Sequence, residues 1–175
     1  MVNKNQVDIQ LLEELIIGRV EPHIYAFTTG TIPNYLKVGD TYRPIEQRLN
    51  EWRKHFPELK KKHQKVAKAD EETFFRDFAI HQYLEIELKK LRLIQGDLDS
   101  NIYYSNEFFK NTNISDLDDA IRDIIDAHNK NEPKYKFYKF DGSLLPETHT
   151  YKRNQVYEPR PNQKETIKRF REAID

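Results

Sequence analysis

No cysteine occurs among the 175 residues. That excludes disulfide staples, cysteine-ligated zinc and a thiol nucleophile, and it fits a reducing compartment. Net charge is missing too. The 29 Lys+Arg balance 29 Asp+Glu, so bulk attraction gives no argument for a polyanionic partner. Long apolar runs are absent; near the start the longest is Leu15-Ile16-Ile17. No signal peptide or spanning helix is legible, and the expectation is a cytoplasmic protein with no membrane contact. No internal repeat is visible.

Aromatic residues are plentiful. Ten Phe and ten Tyr, within a hydrophobic share of 37%, argue against intrinsic disorder. The length suits one ordinary domain plus a tail. Val7, Leu11, Leu12, Leu15 and Ile16 have helical spacing, which predicts a helix over 5–20, closed by Pro22. The β-branched and aromatic run 23–28 and the short segment 35–39, separated by a turn at 30–34, predict an antiparallel hairpin. Pro44 stands where a first helical turn begins, Ile45, Leu49, Trp52 and Phe56 continue the helix, and Pro57 stops it.

Beyond it, 63–69 is expected to be a third strand and 71–93 a long helix with Phe74, Phe78, His81, Leu84 and Leu88 on one face. Ile102-Tyr103-Tyr104 extends a strand ahead of 106–109. Ser115 is the expected cap of a helix carrying Leu117, Ile121, Ile124 and Ile125. An edge strand is expected over 135–140. Residues 141–156, in a stretch holding Gly142, Pro146 and Pro159, are expected to be a linker, and 161–174 a last helix. The fold class that follows is α+β: a small, mostly antiparallel three-stranded sheet flanked by helices.

Charge is neutral in sum but polarised along the chain. Residues 54–68 hold six lysines and two histidines against one glutamate, and residues 97–126 hold eight acids against two bases. A polarised domain can hold a phosphate backbone on one face at zero net charge. A lysine run is also an ordinary solvated loop, and taken alone that reading is preferred.

Several residues stand at spacings that belong together. His23-Ile24-Tyr25 is followed by Lys37-Val38-Gly39 and then Asp40-Thr41, and Arg48 comes nine residues past Gly39 on the next helix. In order and spacing this resembles the GIY-YIG nuclease superfamily, and most closely a divergent phage-type branch in which the second tyrosine is often lysine. Further marks of that branch match: Asp77 stands four residues before His81, and Glu107-Phe108-Phe109 follows. The resemblance covers residues 23–109. It implies a domain over 1–140 that cleaves DNA with Mg²⁺ or Mn²⁺.

Within that resemblance Tyr25 is the general base or positions the water, Arg48 clamps the scissile phosphate, and Asp77 holds the metal. The chemistry asks for these types. Phosphodiester hydrolysis needs an activated nucleophile, a divalent metal and a cation beside the phosphoryl group. A tyrosine in water ionises near ~10, so such a base needs a neighbouring cation, which Lys37 can supply from the adjacent strand. Arginine matches a phosphate with its planar fork, and a carboxylate oxygen suits a hard ion.

Two positions depart from the family pattern: Lys37 replaces a tyrosine, and Asp77 replaces a glutamate with a side chain one methylene longer. Glu71 and Glu72, earlier on the expected helix, are rival ligands. Trp52 stands four residues after Arg48, where some members carry histidine. Each residue also has a plain structural reading. Tyr25 is then a strand aromatic, Arg48 pairs with Glu51 or Asp40, and Asp77 pairs with Arg76, Lys37 or His81. His81 is read as a satisfied core histidine, and Glu107-Phe108-Phe109 as a packing element.

The tail carries a second resemblance. Tyr157-Glu158-Pro159-Arg160-Pro161-Asn162-Gln163, running into Lys164-Glu165-Thr166-Ile167, resembles the opening of restriction-type superfamily-two helicase domains. No phosphate-binding loop follows it, so ATP binding by this chain is not expected. Together the two resemblances imply a nuclease domain ahead of a helicase domain that begins at 157–175. The rival expectations are a catalytically inactive DNA-binding module on the same fold and a protein-interaction domain that recruits the helicase.

Overall fold

The computed structural model describes residues 19–140 and, in the tail, Lys164, Thr166 and Arg169. The chain divides into two compact units, Met1–Gly142 and Ser143–Asp175. In the second, the three described residues are helical and exposed, within the segment expected to be a helix. The linker and the helicase-like motif through Gln163 lie outside the described residues. So does nearly all of the helix expected over 5–20.

The first unit is α+β. Its sheet has four antiparallel strands where the sequence predicted three, in the order β3 (Lys60–Val66), β1 (His23–Thr28), β2 (Tyr35–Thr41), β5 (Phe108–Lys110). The β1–β2 pair is the expected hairpin, with Tyr25 opposite Gly39 and Phe27 opposite Lys37. Asn34, in the turn between them, takes φ 66°, a left-handed conformation that asparagine tolerates.

The fourth strand, absent from the three-stranded expectation although a strand was expected close by at 102–104, is three residues long and shows no alternation. Phe108 and Phe109 are both fully buried, because the two faces of the sheet are both covered. Residues 102–104, where that strand was expected, lie outside any strand: Ile102 is in a bend and Tyr103 and Tyr104 are irregular. The third strand starts earlier than predicted. Its exposed Lys60, Lys61, Lys62 and Lys65 make it an edge strand rather than a solvated loop, and charged edges resist pairing with other sheets.

Helix α1 (Ile45–Arg53) lies on one face, burying Ile45, Leu49 and Trp52 at the predicted spacing. Phe56, in the turn after it, joins them. They pack with Tyr25, Phe27, Ile32, Leu93 and Phe108. Phe27 is the hub of this layer, its ring centroid 5.7 Å from Trp52 and 5.9 Å from Phe108. On the opposite face Ile24, Ala26, Leu36, Val38 and Phe109 meet α2 (Asp77–Ile86) and α3 (Ile114–Asn129) through Ile80, Leu84, Leu117, Ile121 and Ile124.

Helix α2 is much shorter than the helix expected over 71–93. At its start Thr73 and Phe74 form β4, which pairs with β6 (Tyr138–Lys139) as a separate two-stranded sheet, and the Phe75 N–H donates to Ala67 O. Those backbone bonds hold 73–75 extended despite their helical periodicity. At its end Lys89 takes φ 53°, which stops the helix. Helix α3 is capped by Asn113, not Ser115. The Asn113 side chain accepts from the Asp116 N–H, and the Asp116 carboxylate accepts from the Asn113 N–H, a capping box. Among the described residues no helix is long and apolar enough to cross a membrane.

Candidate active site

Strands alternate their side chains between faces, so Tyr25 and Phe27 on β1 share a face with Lys37 and Gly39 on β2. Gly39 is the low point of that surface. A Cβ there would lie 2.8 Å from Lys37 Nζ and 3.0 Å from Tyr25 Oη. The missing side chain is what lets the tyrosine and the lysine close over the strand, which explains why the Lys37-Val38-Gly39 triplet ends in glycine.

Helix α1 supplies the next layer. Arg48 and Trp52, one turn apart, both reach Tyr25. Trp52 Nε1–H donates to Tyr25 Oη at 2.8 Å and Arg48 Nε–H donates at 3.3 Å. The two donors on its oxygen hold the Tyr25 ring in one orientation at the cleft. An indole donates only, so Trp52 orients Tyr25 but takes no proton. Arg48 is held from its other side by Glu51, whose Oε2 accepts from it at 2.8 Å. Arg43 binds the same carboxylate at 2.5 and 3.1 Å. Burial works against the Arg48 charge, but Tyr25 and Glu51 outweigh it and raise its pKa. The pairing with Glu51 anticipated for a plain helix arginine is present, and so is the placement against Tyr25.

Lys37 is fully buried. Its ammonium pairs with Glu107 and lies 4.6 Å from the Trp52 ring centroid and 5.3 Å from that of Tyr25. Burial alone would raise the Glu107 pKa, but the Lys37 charge and hydrogen bond bring it below its ordinary value. Glu107 was noted within the Glu107-Phe108-Phe109 triplet, as a mark of the family branch and as a packing element, and was given no role of its own. The two phenylalanines do pack, one on each face of the sheet, while the carboxylate turns to the lysine. The signal in the sequence was an acid directly before two core aromatics.

Asp77 opens α2 and is 9% exposed. Burial raises its pKa, the charges of Asp40 and Glu107 add to that, and Lys37 and Arg76 only partly offset them, leaving it at about 7. Asp40 receives the Asp77 backbone N–H at 3.3 Å and a two-pronged pair from Arg76, whose second contact is 3.1 Å. Neither Asp40 nor Arg76 was singled out as a site residue, because each reads as a surface charge. His81 is buried one turn after Asp77, outside the cleft. Its Nε2–H donates to Val38 O at 2.9 Å, and burial lowers its pKa to about 4, so it is a neutral core histidine. Glu71 and Glu72 are exposed in the turn before β4, off any helix and away from the cleft, so neither is a rival for Asp77.

These groups meet in one cleft of about 250 Å³, walled by Tyr25, Gly39, Arg48, Arg76, Asp77 and Glu107. Tyr25, Arg48 and Asp77 are more than fifty residues apart end to end in sequence, yet they face the same space. Among the described residues no three carboxylates or histidines form a cage for a metal. A divalent ion here would be held by Asp77, with Glu107 or Asp40 nearby, and otherwise by water, as Mg²⁺ usually is. Comparison of the chain with protein-family models, with curated proteins and with solved structures gave no match.

Proposed function

We propose that this domain is a metal-dependent DNA endonuclease of the GIY-YIG kind, hydrolysing phosphodiester bonds in the cleft between α1 and the N-terminus of α2. The observation that carries the reading is the convergence of Tyr25, Arg48 and Asp77 on one cleft. In this reading the Arg48 guanidinium binds the scissile phosphate and stabilises the charge that builds on it. Tyr25, oriented by Trp52 and Arg48, takes the proton of the attacking water or holds that water in line. Lys37, paired with Glu107, adds positive potential beneath the phenol. Arg76 lines the same cleft as Arg48 and is a second cation for the phosphate. Mg²⁺ or Mn²⁺ on Asp77 would act as the Lewis acid that polarises the phosphoryl oxygen.

The tail motif supports a place ahead of a helicase domain in a larger DNA-processing protein. A second reading, an inactive DNA-binding module on the same fold, is favoured by one observation. Asp77 sits near half-protonation at neutral pH, and a protonated carboxyl is a poor ligand. Plasmid nicking separates the two. Wild type nicks supercoiled plasmid in Mg²⁺ or Mn²⁺, and Arg48→Ala loses on the order of 10²–10³ of that rate, as for removal of a single transition-state donor. The variant's circular dichroism stays that of wild type. Nicking by a folded Arg48→Ala protein at the wild-type rate overturns the assignment, and DNA binding without nicking in either metal selects the inactive module.

A further inference from the structure

Beside the cleft lies a second cavity of about 400 Å³, and the two share Arg48 and Glu107 in their walls. This volume falls in the ~300–1,000 Å³ range of small-molecule pockets. Its character differs from that of the cleft. Trp52, His55, Tyr103 and Tyr104 line it, with Ser105 and Asn106 along one side. The His55 and Tyr103 rings are stacked, centroids 3.9 Å apart and planes 22° apart. Trp52 meets Tyr103 edge-on at 5.9 Å. His55 is exposed and Tyr103 is 47% exposed, so an aromatic pair stands at the surface where chains usually bury such rings.

We propose that this cavity is a nucleobase subsite: it takes one unstacked base of the DNA strand whose phosphate is held by Arg48. The inference rests on the nuclease reading and adds to it that the substrate presents an unpaired base beside the cut.

Three observations point to a base rather than an anion or a peptide. First, the pocket is ring-walled, and a planar group can extend the exposed His55–Tyr103 stack. Every base has a π-face, and stacking on an aromatic side chain contributes ~1–3 kcal/mol per base. Second, the carboxylates in its walls are already matched, Glu51 by Arg43 and Arg48 and Glu107 by Lys37, so a neutral base meets little field there. Third, Arg48 stands in both walls. A nucleotide whose phosphate lies against that guanidinium therefore has the ring pocket on one side and the carboxylate cleft on the other. The side chains of Ser105 and Asn106 supply donors and acceptors for the base edge. A base inside a duplex cannot enter such a pocket without leaving the stack, which costs least in single-stranded or mismatched DNA.

The experiment compares two strands on the full chain, with Ca²⁺ in place of Mg²⁺. One is a fluorescein-labelled oligothymidylate. The other has the same length and backbone but carries abasic residues throughout. The oligothymidylate is expected to bind about 5-fold to 150-fold more tightly, the stacking range converted at about 1.4 kcal/mol per tenfold. Tyr103→Ala brings the two affinities together, and Tyr103→Phe, which keeps the ring, retains the difference. His55→Ala narrows it by a separate substitution on an exposed residue, so the result does not hang on one variant folding. Equal affinity of wild type for both strands overturns the base subsite and leaves the phosphate-binding reading standing. No binding of either strand overturns the DNA reading and the subsite together. A preference that survives in both Tyr103→Ala and His55→Ala also overturns it, because the bases would then be read elsewhere.

Discussion

The two faces of the sheet are built from the same strands and do different work. Under α2 and α3 the sheet buries Ile24, Ala26, Leu36 and Val38 against aliphatic helix positions, with His81 as the polar exception, satisfied by one carbonyl. Under α1 it buries aromatic rings together with a lysine ammonium and a tyrosine hydroxyl. The first face needs nothing but shape and apolar area. The second must match each polar group with a partner: Lys37 with Glu107, Tyr25 with Trp52 and Arg48, Arg48 with Glu51. A buried charge without its partner costs several kcal/mol, so this face trades packing freedom for a preorganised cluster. Stability should therefore sit on one face and chemistry on the other.

The largest expected effect lies on the aliphatic face. Leu84 is fully buried between the helices and the sheet. Leu84→Ala should cost about 2–5 kcal/mol of unfolding free energy in a urea titration, as core leucine truncations do. A loss well under about 1 kcal/mol would mean that this face is not where the stability lies.

Next comes Asp77, where the two faces meet. Its pKa is 3.8 ordinarily and about 7 when folded. A carboxyl raised in this way favours the folded state fully below about 3.8, and that advantage disappears as pH rises through about 7. Asp77→Asn should therefore stabilise the metal-free protein at pH 8 by up to about 4 kcal/mol, and by less than half of that at pH 5. His81 has the opposite sign. Its folded value of about 4 lies below the ordinary 6.5, so its contribution is present above 6.5 and fades as pH falls toward 4. The two slopes oppose each other in wild type, and the Asn variant should expose the histidine's, losing stability steadily from pH 6.5 to 4. Urea midpoints measured across that range check it, and an equal gain at both pH values contradicts it. The same variant should lose Mn²⁺ binding in a calorimetric titration, whereas Glu72→Gln should not.

The smallest stability effect with a sharp functional consequence is at Gly39. A methyl there meets Lys37 Nζ at 2.8 Å and Tyr25 Oη at 3.0 Å. Overpacking of this kind typically costs about 1–3 kcal/mol. Gly39→Ala should unfold only modestly earlier yet lose most of its nicking, since the groups that must give way are Tyr25 and Lys37. Retained nicking with full destabilisation would place Gly39 on the structural side of the comparison.

Much of the fold was legible in the residues. The hairpin showed as two β-rich runs around a turn, and α1 as Ile45, Leu49 and Trp52 at helical spacing bounded by prolines. The long helix was misjudged because Phe74 and Phe78 fit a helical period. Only the pairing of β4 with β6, a partner more than sixty residues downstream, shows that Phe74 is extended. Strand β5 was misplaced, toward 102–104, for a related reason: three residues buried on both faces carry no period at all. Of the candidate site, Tyr25, Lys37, Arg48 and Asp77 were singled out by the family resemblance, and three of them, Tyr25, Arg48 and Asp77, line one cleft. Glu107, Asp40 and Arg76 were not given roles, because their partners lie far away in sequence.

What the sequence determined by itself was local: which segments bury a face, and the hairpin and first helix as elements. These follow from backbone periods of two and 3.6 residues and from caps and breakers, all of which act over a few neighbours. The tertiary structure decided the rest. It set Glu107 against Lys37, turned Trp52 into a donor for Tyr25, pushed Asp77 toward neutrality by burying it beside Asp40 and Glu107, and placed a ring-lined pocket next to the cleft. Each of these depends on a distance between groups remote in the chain, and such distances are set by how the two layers pack on the sheet, which no local period encodes.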